Sequence, residues 1–323
     1  MAIGAFISTG RSLDQAVERA KLAEELGYES AWVTQIAGRD ALTVLTVYAL
    51  NTKRIRLGTG VVPIYTRTPA TMAQQAITVD ELSGGRLNLG LGVSHRPVVE
   101  GWYGQRIDRP VPEIKEYVAI LRAIAAAEDP PPGEKWQTGF RLSGLDARPD
   151  LRIYLAGLSP AMLRAAGEVA DGVVLWLCNP NYIRDVVVPE VTTGRERAGK
   201  GIEGFDIVPA VPAAVTDDPQ AAWAQMRREL LTYFSLPFYR AMIERSGFEA
   251  DIAAFDQAAQ KGDPEAMGAA ISDEFLDVLT AVGDEERVRA GVARYSEAGA
   301  TSPCVGPISK SDFEATLRAA APG

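Results

Sequence analysis

The sequence predicts an α/β protein, a (β/α)8 TIM barrel with insertions, and three observations carry that reading. First, one pattern recurs. Helical spacing from Lys21 runs up to Gly27, and a short apolar run continues to Val33. The same order appears at Met162–Trp176 around Asp171-Gly172, and at Val288–Val305 around Gly299. A glycine just past a helix takes the left-handed C-cap geometry, and the apolar run after it is written as a buried parallel strand. Second, eight strands of this kind can be counted, alternating with helices, which favours a closed barrel over an open sheet. Third, the first strand ends Ile7-Ser8-Thr9-Gly10-Arg11-Ser12, which is not the glycine-rich turn of an open dinucleotide-binding sheet.

Taken in order, the strands fall near 2–8, 30–34, 54–62, 86–93, 151–156, 172–177, 205–215 and 300–305. Helical patterns occupy 12–26, 40–51, 69–82, 112–127, 160–170, 180–198, 218–247 and 284–298, with a last helix near 309–320. Two stretches exceed a minimal barrel. Residues 128–150 contain Pro130-Pro131-Pro132-Gly133 and read as a loop with a small hairpin. Residues 230–283 read as mostly helical between the seventh and eighth strands. Insertions after barrel strands often cover the active-site face. Neither resembles a separate domain, so residues 1–323 form a single barrel domain with these insertions.

Composition narrows the function. The chain of 323 residues is 47% apolar and 23% charged, which excludes a disordered polypeptide. With 33 Lys and Arg against 42 Asp and Glu, the net charge of −9 argues against a nucleic-acid surface. No apolar run approaches the ~20 residues of a membrane span. The start, Met1-Ala2-Ile3-Gly4-Ala5-Phe6, lacks the features of a secretory signal, so a cytoplasmic protein is expected. The only cysteines are Cys178 and Cys304, and the only histidine is His95. No disulfide framework, zinc cluster or multi-histidine metal site is expected from these.

In a barrel the chemistry sits where strands end. The third strand ends Leu57-Gly58-Thr59-Gly60-Val61-Val62-Pro63, where the glycines indicate close backbone approach or a bulge, or simply a kinked strand. The fourth ends Leu89-Gly90-Leu91-Gly92-Val93-Ser94-His95, where two glycines admit a flat ligand or a neighbouring backbone. His95 at the mouth could exchange a proton or hydrogen-bond a ligand, or only brace the loop. The fifth leads into Gly157-Leu158-Ser159-Pro160, with Ser159 as N-cap and Pro160 at the first helical position. Such a helix start attracts an anion such as phosphate. The sixth ends Trp176-Leu177-Cys178-Asn179, and Cys178 reads as a packing or ligand-wall residue. The second ends Thr34-Gln35-Ile36, with Gln35 and Arg39 placed to face the mouth and Asp40 capping the next helix.

These strand ends, in this order, resemble the luciferase-like monooxygenase superfamily, and within it the coenzyme F420-dependent oxidoreductases similar to methylenetetrahydromethanopterin reductase. The carrying segments are Leu57–Val61 with Tyr65-Thr66-Arg67-Thr68-Pro69, Gln74-Gln75, and Asp80–Arg86 followed by Leu89–Val93. Later segments are Ser159–Met162 and Ala166–Gly172. The resemblance implies a bacterial-luciferase-like barrel with the deazaflavin coenzyme F420 at its C-terminal mouth, a small-molecule substrate and a homodimer. It implies a non-proline cis peptide at Gly60–Val61 behind the ring, and a phosphate site at Gly157, Leu158 and Ser159. Cofactor contacts then fall on Gln35, Gly60, Val61, Val62, Ser94, His95, Gly157, Leu158, Ser159, Trp176, Leu177 and Cys178, with His95 the catalytic candidate and no metal. Members acting on glucose-6-phosphate have an acid where this chain has His95, and an Asp-His pair where it has Gln35-Ile36, so a sugar phosphate is not the expected substrate. The expected function is hydride transfer between the deazaflavin and a small organic substrate. An FMN-dependent two-component monooxygenase and a non-catalytic flavin-binding protein are the alternatives.

Overall fold

A computed structural model describes residues 2–322. The chain opens with β1 (Gly4–Phe6), α1 (Leu13–Glu25), β2 (Ser30–Val33) and α2 (Ala41–Asn51). Two short strands come next, β3 (Arg56–Thr59) and β4 (Val62–Pro63), then α3 (Pro69–Ser83), β5 (Leu87–Gly92), α4 (Arg96–Tyr103) and α5 (Pro110–Ala125). After a long loop come β6 (Arg152–Ala156), α6 (Pro160–Val169), β7 (Gly172–Leu175), α7 (Pro180–Tyr182) and α8 (Val188–Arg197). β8 (Asp206–Val215) leads into five helices, α9 (Pro219–Phe234), α10 (Pro237–Arg245), α11 (Glu249–Gln260), α12 (Pro264–Ala269) and α13 (Asp273–Leu279). The chain closes with β9 (Ala281–Gly283), α14 (Glu285–Glu297), β10 (Cys304–Pro307) and α15 (Phe313–Ala319).

All strand pairs are parallel. The order runs β1, β2, β3, β5, β6, β7, β8, and β10 pairs with both β8 and β1, which closes the ring. β3 and β4 are one barrel strand interrupted by a bulge. Gly58 pairs with Asn88 and Val62 with Leu91, so β3–β4 spends one residue more than β5 between the two pairings. That extra residue bends the strand and re-aims the side chains beyond it. The Gly60–Val61 peptide within the bulge is cis, as the family resemblance implied.

The eight expected strands are all present. The short β9 was not anticipated, nor was α4. The expected helix at 218–247 is broken at Ser235-Leu236-Pro237 into α9 and α10, because Pro237 lacks the N–H that a continuous helix requires. The helix expected at 180–198 is continuous but contains a π turn at Ile183–Val187, just before Pro189. The hairpin expected within 128–150 is absent, and no strand lies there among the described residues. The reason is local. The Glu116 carboxylate accepts the backbone N–H groups of Glu134, Lys135 and Trp136, so these donors bond to α5 rather than to a partner strand.

Inside the ring, Trp32, Tyr154, Val174, Val208 and Cys304 pack together, with Phe6 and Val61 against them. Trp32 meets Tyr154 edge-on with centroids 5.2 Å apart. Gly58 leaves room for the Trp32 indole, since a Cβ there would lie 2.3 Å from the ring. Gly60 does the same for Phe6. The close approach read from these two glycines is therefore between strand and core aromatic ring. The helices form the outer layer, and no helix is long and apolar enough to cross a membrane among the described residues.

Candidate active site

The site is built from the C-terminal ends of five consecutive barrel strands. The bulge between β3 and β4 carries Val61, half-buried at the mouth. Its side chain rests on β5: a Cβ on Gly92 would fall 2.7 Å from Val61 Cγ2, and one on Gly90 would fall 3.1 Å from Cγ1. The Gly90 position also lies 1.9 Å from the Thr59 carbonyl oxygen. Of the two roles open to the β5 glycines, admission of neighbouring backbone is thus occupied by the bulge. Val62 is fully buried in β4, so its side chain belongs to the core and only its backbone can line the mouth.

The ends of β5 and β7 are locally alike. Ser94 (φ 59°) and Leu177 (φ 61°) both hold left-handed backbone, a conformation that costs a non-glycine residue about 1 kcal/mol or more and that clusters at functional sites. Leu177 and Cys178 are buried. Burial pushes the Cys178 thiol far up, which argues against a nucleophile. The α6 start matches the sequence expectation. Ser159 Oγ accepts the Met162 N–H at 3.3 Å, and Pro160 occupies the first helical position. The Leu158 carbonyl accepts the Tyr182 hydroxyl at 2.6 Å. The N–H groups of Leu158, Ser159 and Ala161 take no partner among the described residues and remain available to an anion.

At the end of β2, Gln35 Oε1 accepts the Ala41 N–H at 3.2 Å, leaving its NH2 group for the mouth. Arg39 does not face the mouth freely. Its guanidinium is bonded to the carbonyls of Gly10 and Arg11 in the loop after β1. Asp40 caps α2 through Thr43 and pairs with Arg67. Burial pushes the Asp40 carboxyl up, but Thr43 and Arg67 outweigh it and hold the group below its ordinary value.

His95 is half-buried at the start of α4. Burial lowers its pKa from the ordinary 6.5, so the imidazole is neutral at pH 7. No described residue hydrogen-bonds it. It is held by packing on Tyr239, centroid to centroid 5.8 Å. Tyr239 packs edge-on with Tyr233 at 4.8 Å, and Tyr233 with Trp176 at 6.1 Å. An aromatic chain therefore spans the mouth from the end of β5 to the end of β7 by way of α9 and α10. The Trp176 indole N–H is buried without a bond of acceptable geometry, although it lies close enough to temper the burial-raised pKa of Tyr233.

Tyr233 and Tyr239 were missed from the sequence, because strand ends alone were read for chemistry. The signal was the Ser235-Leu236-Pro237 break, which folds α10 back so that tyrosines six positions apart meet.

The model of the luciferase-like monooxygenase family matches residues 1–302. The chain belongs to the luciferase-like monooxygenase family. This luciferase-like chain is 32% identical over 306 residues to a Mycobacterium tuberculosis protein assigned as a coenzyme F420-dependent oxidoreductase, with 88% of each chain covered. It is 32% identical over 292 residues to 5,10-methylenetetrahydromethanopterin reductase of Methanolobus tindarius, covering 89% of this chain and 88% of that one. Its fold matches the coenzyme F420-dependent tetrahydromethanopterin reductase of Methanopyrus kandleri with a TM-score of 0.80 at 22% identity, over 98% and 97% of the two chains. The luciferase-like family assigns an enzyme of the oxidoreductase class.

Proposed function

We propose that the protein transfers hydride between coenzyme F420 and a small organic substrate at the barrel mouth. The observation that carries this reading is the seat of Val61. A one-residue bulge presents it at the mouth, and two glycines of β5 accept its back, so it offers a firm apolar support for a flat ring. The relatives' printed dependence on coenzyme F420 favours a deazaflavin as that ring.

The residues present fit such a cofactor. The free N–H groups at the start of α6 would hold its phosphate, with the helix dipole adding attraction. The Gln35 NH2 group, the backbone at Ser94 and the buried Trp176 N–H would serve its polar edges. When bound, the deazaflavin supplies a carbon that gives or takes a hydride, chemistry no side chain provides. The protein binds the ring against Val61, keeps water from its face with the tyrosines of α9 and α10, and holds His95 within the mouth. A neutral imidazole there can donate or accept a hydrogen bond at the reacting end of the substrate.

Exposed Leu50 (68%) and Leu82 (43%), on the packed helices α2 and α3, provide apolar surface for the homodimer. The test of function is anaerobic. Reduced coenzyme F420 is mixed with the protein and with neutral ketones, aldehydes or imines, and cofactor reoxidation is followed by absorbance. Reoxidation that requires both protein and substrate supports the reading. Cofactor binding without reoxidation across the panel, in either direction, contradicts it.

A further inference from the structure

The insertion after β8 carries a positive charge to the start of α6. α10 ends at Arg245, and the residue after it is anchored. The Asn179 side-chain N–H, buried at the end of β7, donates to Ser246 Oγ at 3.1 Å. Asn179 Oδ1 accepts the Tyr182 N–H at 3.0 Å, and the Tyr182 hydroxyl donates to the Leu158 carbonyl at 2.6 Å. These bonds tie the end of α10, through α7, to the loop that enters α6. Arg245 lies in that corner. Burial raises the pKa of the Tyr182 hydroxyl, and the Arg245 guanidinium beside it opposes the rise.

Arg245 is available to a ligand. It is exposed and forms no ion pair among the described residues, and its exposed neighbours Glu244 and Glu249 do not bond to it. The other arginines around the corner are engaged: Arg164 with Glu190, Arg184 with Asp185 at 2.7 Å, and Arg240 with Asp256 at 2.6 Å. A guanidinium is a fork of donors that matches a phosphate with two parallel hydrogen bonds. The unpartnered N–H groups of Leu158, Ser159 and Ala161 belong to the loop that Tyr182 holds. Donors from two separate elements, the α6 start and the insertion, thus converge on one place. The need for a cation there follows from the net charge of −9, since an anionic ligand approaches against the field of the whole protein.

We propose that Arg245 of the insertion binds the phosphate of the ring cofactor against the start of α6, so that the charged side chain of the cofactor, and not its ring alone, decides what the mouth accepts. The inference rests on the cofactor reading above and adds a specificity residue to it. Phosphate is the shared chemistry of coenzyme F420 and FMN, so the experiment separates the two sources.

The test is fluorescence titration of the purified chain with two pairs of ligands. The first pair is coenzyme F420 and its dephosphorylated fragment, the same ring and ribityl chain without the phosphate. The second pair is FMN and riboflavin. The wild type should bind coenzyme F420 at least about 10-fold more tightly than the fragment, as charge-assisted bonds to one phosphate would give. Arg245→Gln should weaken coenzyme F420 about 10-fold and leave the fragment unchanged, while Arg245→Lys, which keeps the charge and loses the fork, should fall between. Added salt should weaken coenzyme F420 binding more in the wild type than in Arg245→Gln. Equal binding of coenzyme F420 and fragment by the wild type, unchanged coenzyme F420 binding in Arg245→Gln, or an equal loss of both ligands in that variant overturns the role of Arg245. If the wild type binds FMN but not coenzyme F420, and Arg245→Gln weakens FMN but not riboflavin, the deazaflavin reading falls and the phosphate role of Arg245 stands. Binding of none of the four overturns both.

Discussion

Val61 Cγ2 lies 2.7 Å from the point where a Cβ on Gly92 would sit, and the Ala156 Cβ lies 3.2 Å from that point. One absent methyl group thus joins the bulge after β3, the end of β5 and the end of β6. The backbone at Gly92 is not left-handed, so the glycine is required by space and not by φ.

Gly92→Ala should therefore cost about 1–3 kcal/mol through overpacking, and should weaken cofactor binding as Val61 is displaced. In a Val61→Ala background the same substitution should cost less than half as much. Urea unfolding of the four variants measures the coupling. Simple additivity would mean that Val61 is not seated on Gly92.

His95→Gln keeps a hydrogen-bonding group and removes a titrating one. Turnover should fall about 100-fold, in line with the loss of a positioned acid or base, while cofactor affinity changes little. Because burial lowers the pKa of His95, the neutral form persists below pH 6.5 in the folded enzyme. The wild-type rate should hold through neutrality and decline on the acid side, and the variant should lose that limb. An identical pH–rate profile in the variant would make His95 a structural residue.

The same shift has a stability consequence. Above pH 6.5 both folded and unfolded states carry neutral His95. As the pH falls from 6.5 toward the lower folded-state value, the unfolded chain takes up the proton first, so folding loses stability across that window. Denaturant midpoints should show a smaller loss between pH 6.5 and 5.5 in His95→Gln than in the wild type.

Glu24 is a clamp far from the mouth. Its carboxylate accepts the N–H groups of Lys53, Arg54 and Ile55, tying α1 to the strand that carries the bulge. Burial raises its pKa, but these donors and the nearby Arg54 charge outweigh that and lower it below 4.5. Its stabilisation is complete above pH 4.5 and is lost as the pH falls through the folded-state value. Glu24→Gln should cost about 1–2 kcal/mol at pH 7, the loss expected when a charged acceptor becomes neutral, and should flatten acid unfolding. Thermal melts between pH 3 and 7 would show both effects, and an unchanged midpoint at pH 7 would contradict the clamp.

Much of this was legible because local signals agree. Glycines after α1 and α14 punctuate helix and strand, Ser159-Pro160 writes its own cap, and the strand-end glycines at 58–60 and 90–92 mark the bulge and its seat. The illegible parts lacked a local signal. β9 is three residues long, too short to show a period. α4 is eight residues long and contains Pro97 and Gly101, two residues that ordinarily argue against a helix. The absent hairpin turned on Glu116, a side chain from a different element. Tyr233 and Tyr239 reach the mouth only through packing of the insertion, which no strand-end reading contains.

A mouth shaped for a deazaflavin should discriminate between the two rings that could rest on Val61. Fluorescence titration of the purified protein with coenzyme F420 and with FMN measures that discrimination. Saturable binding of coenzyme F420 should be at least about 10-fold tighter than that of FMN, a difference of about 1.4 kcal/mol. FMN binding as tightly as coenzyme F420, or more tightly, would contradict a deazaflavin site.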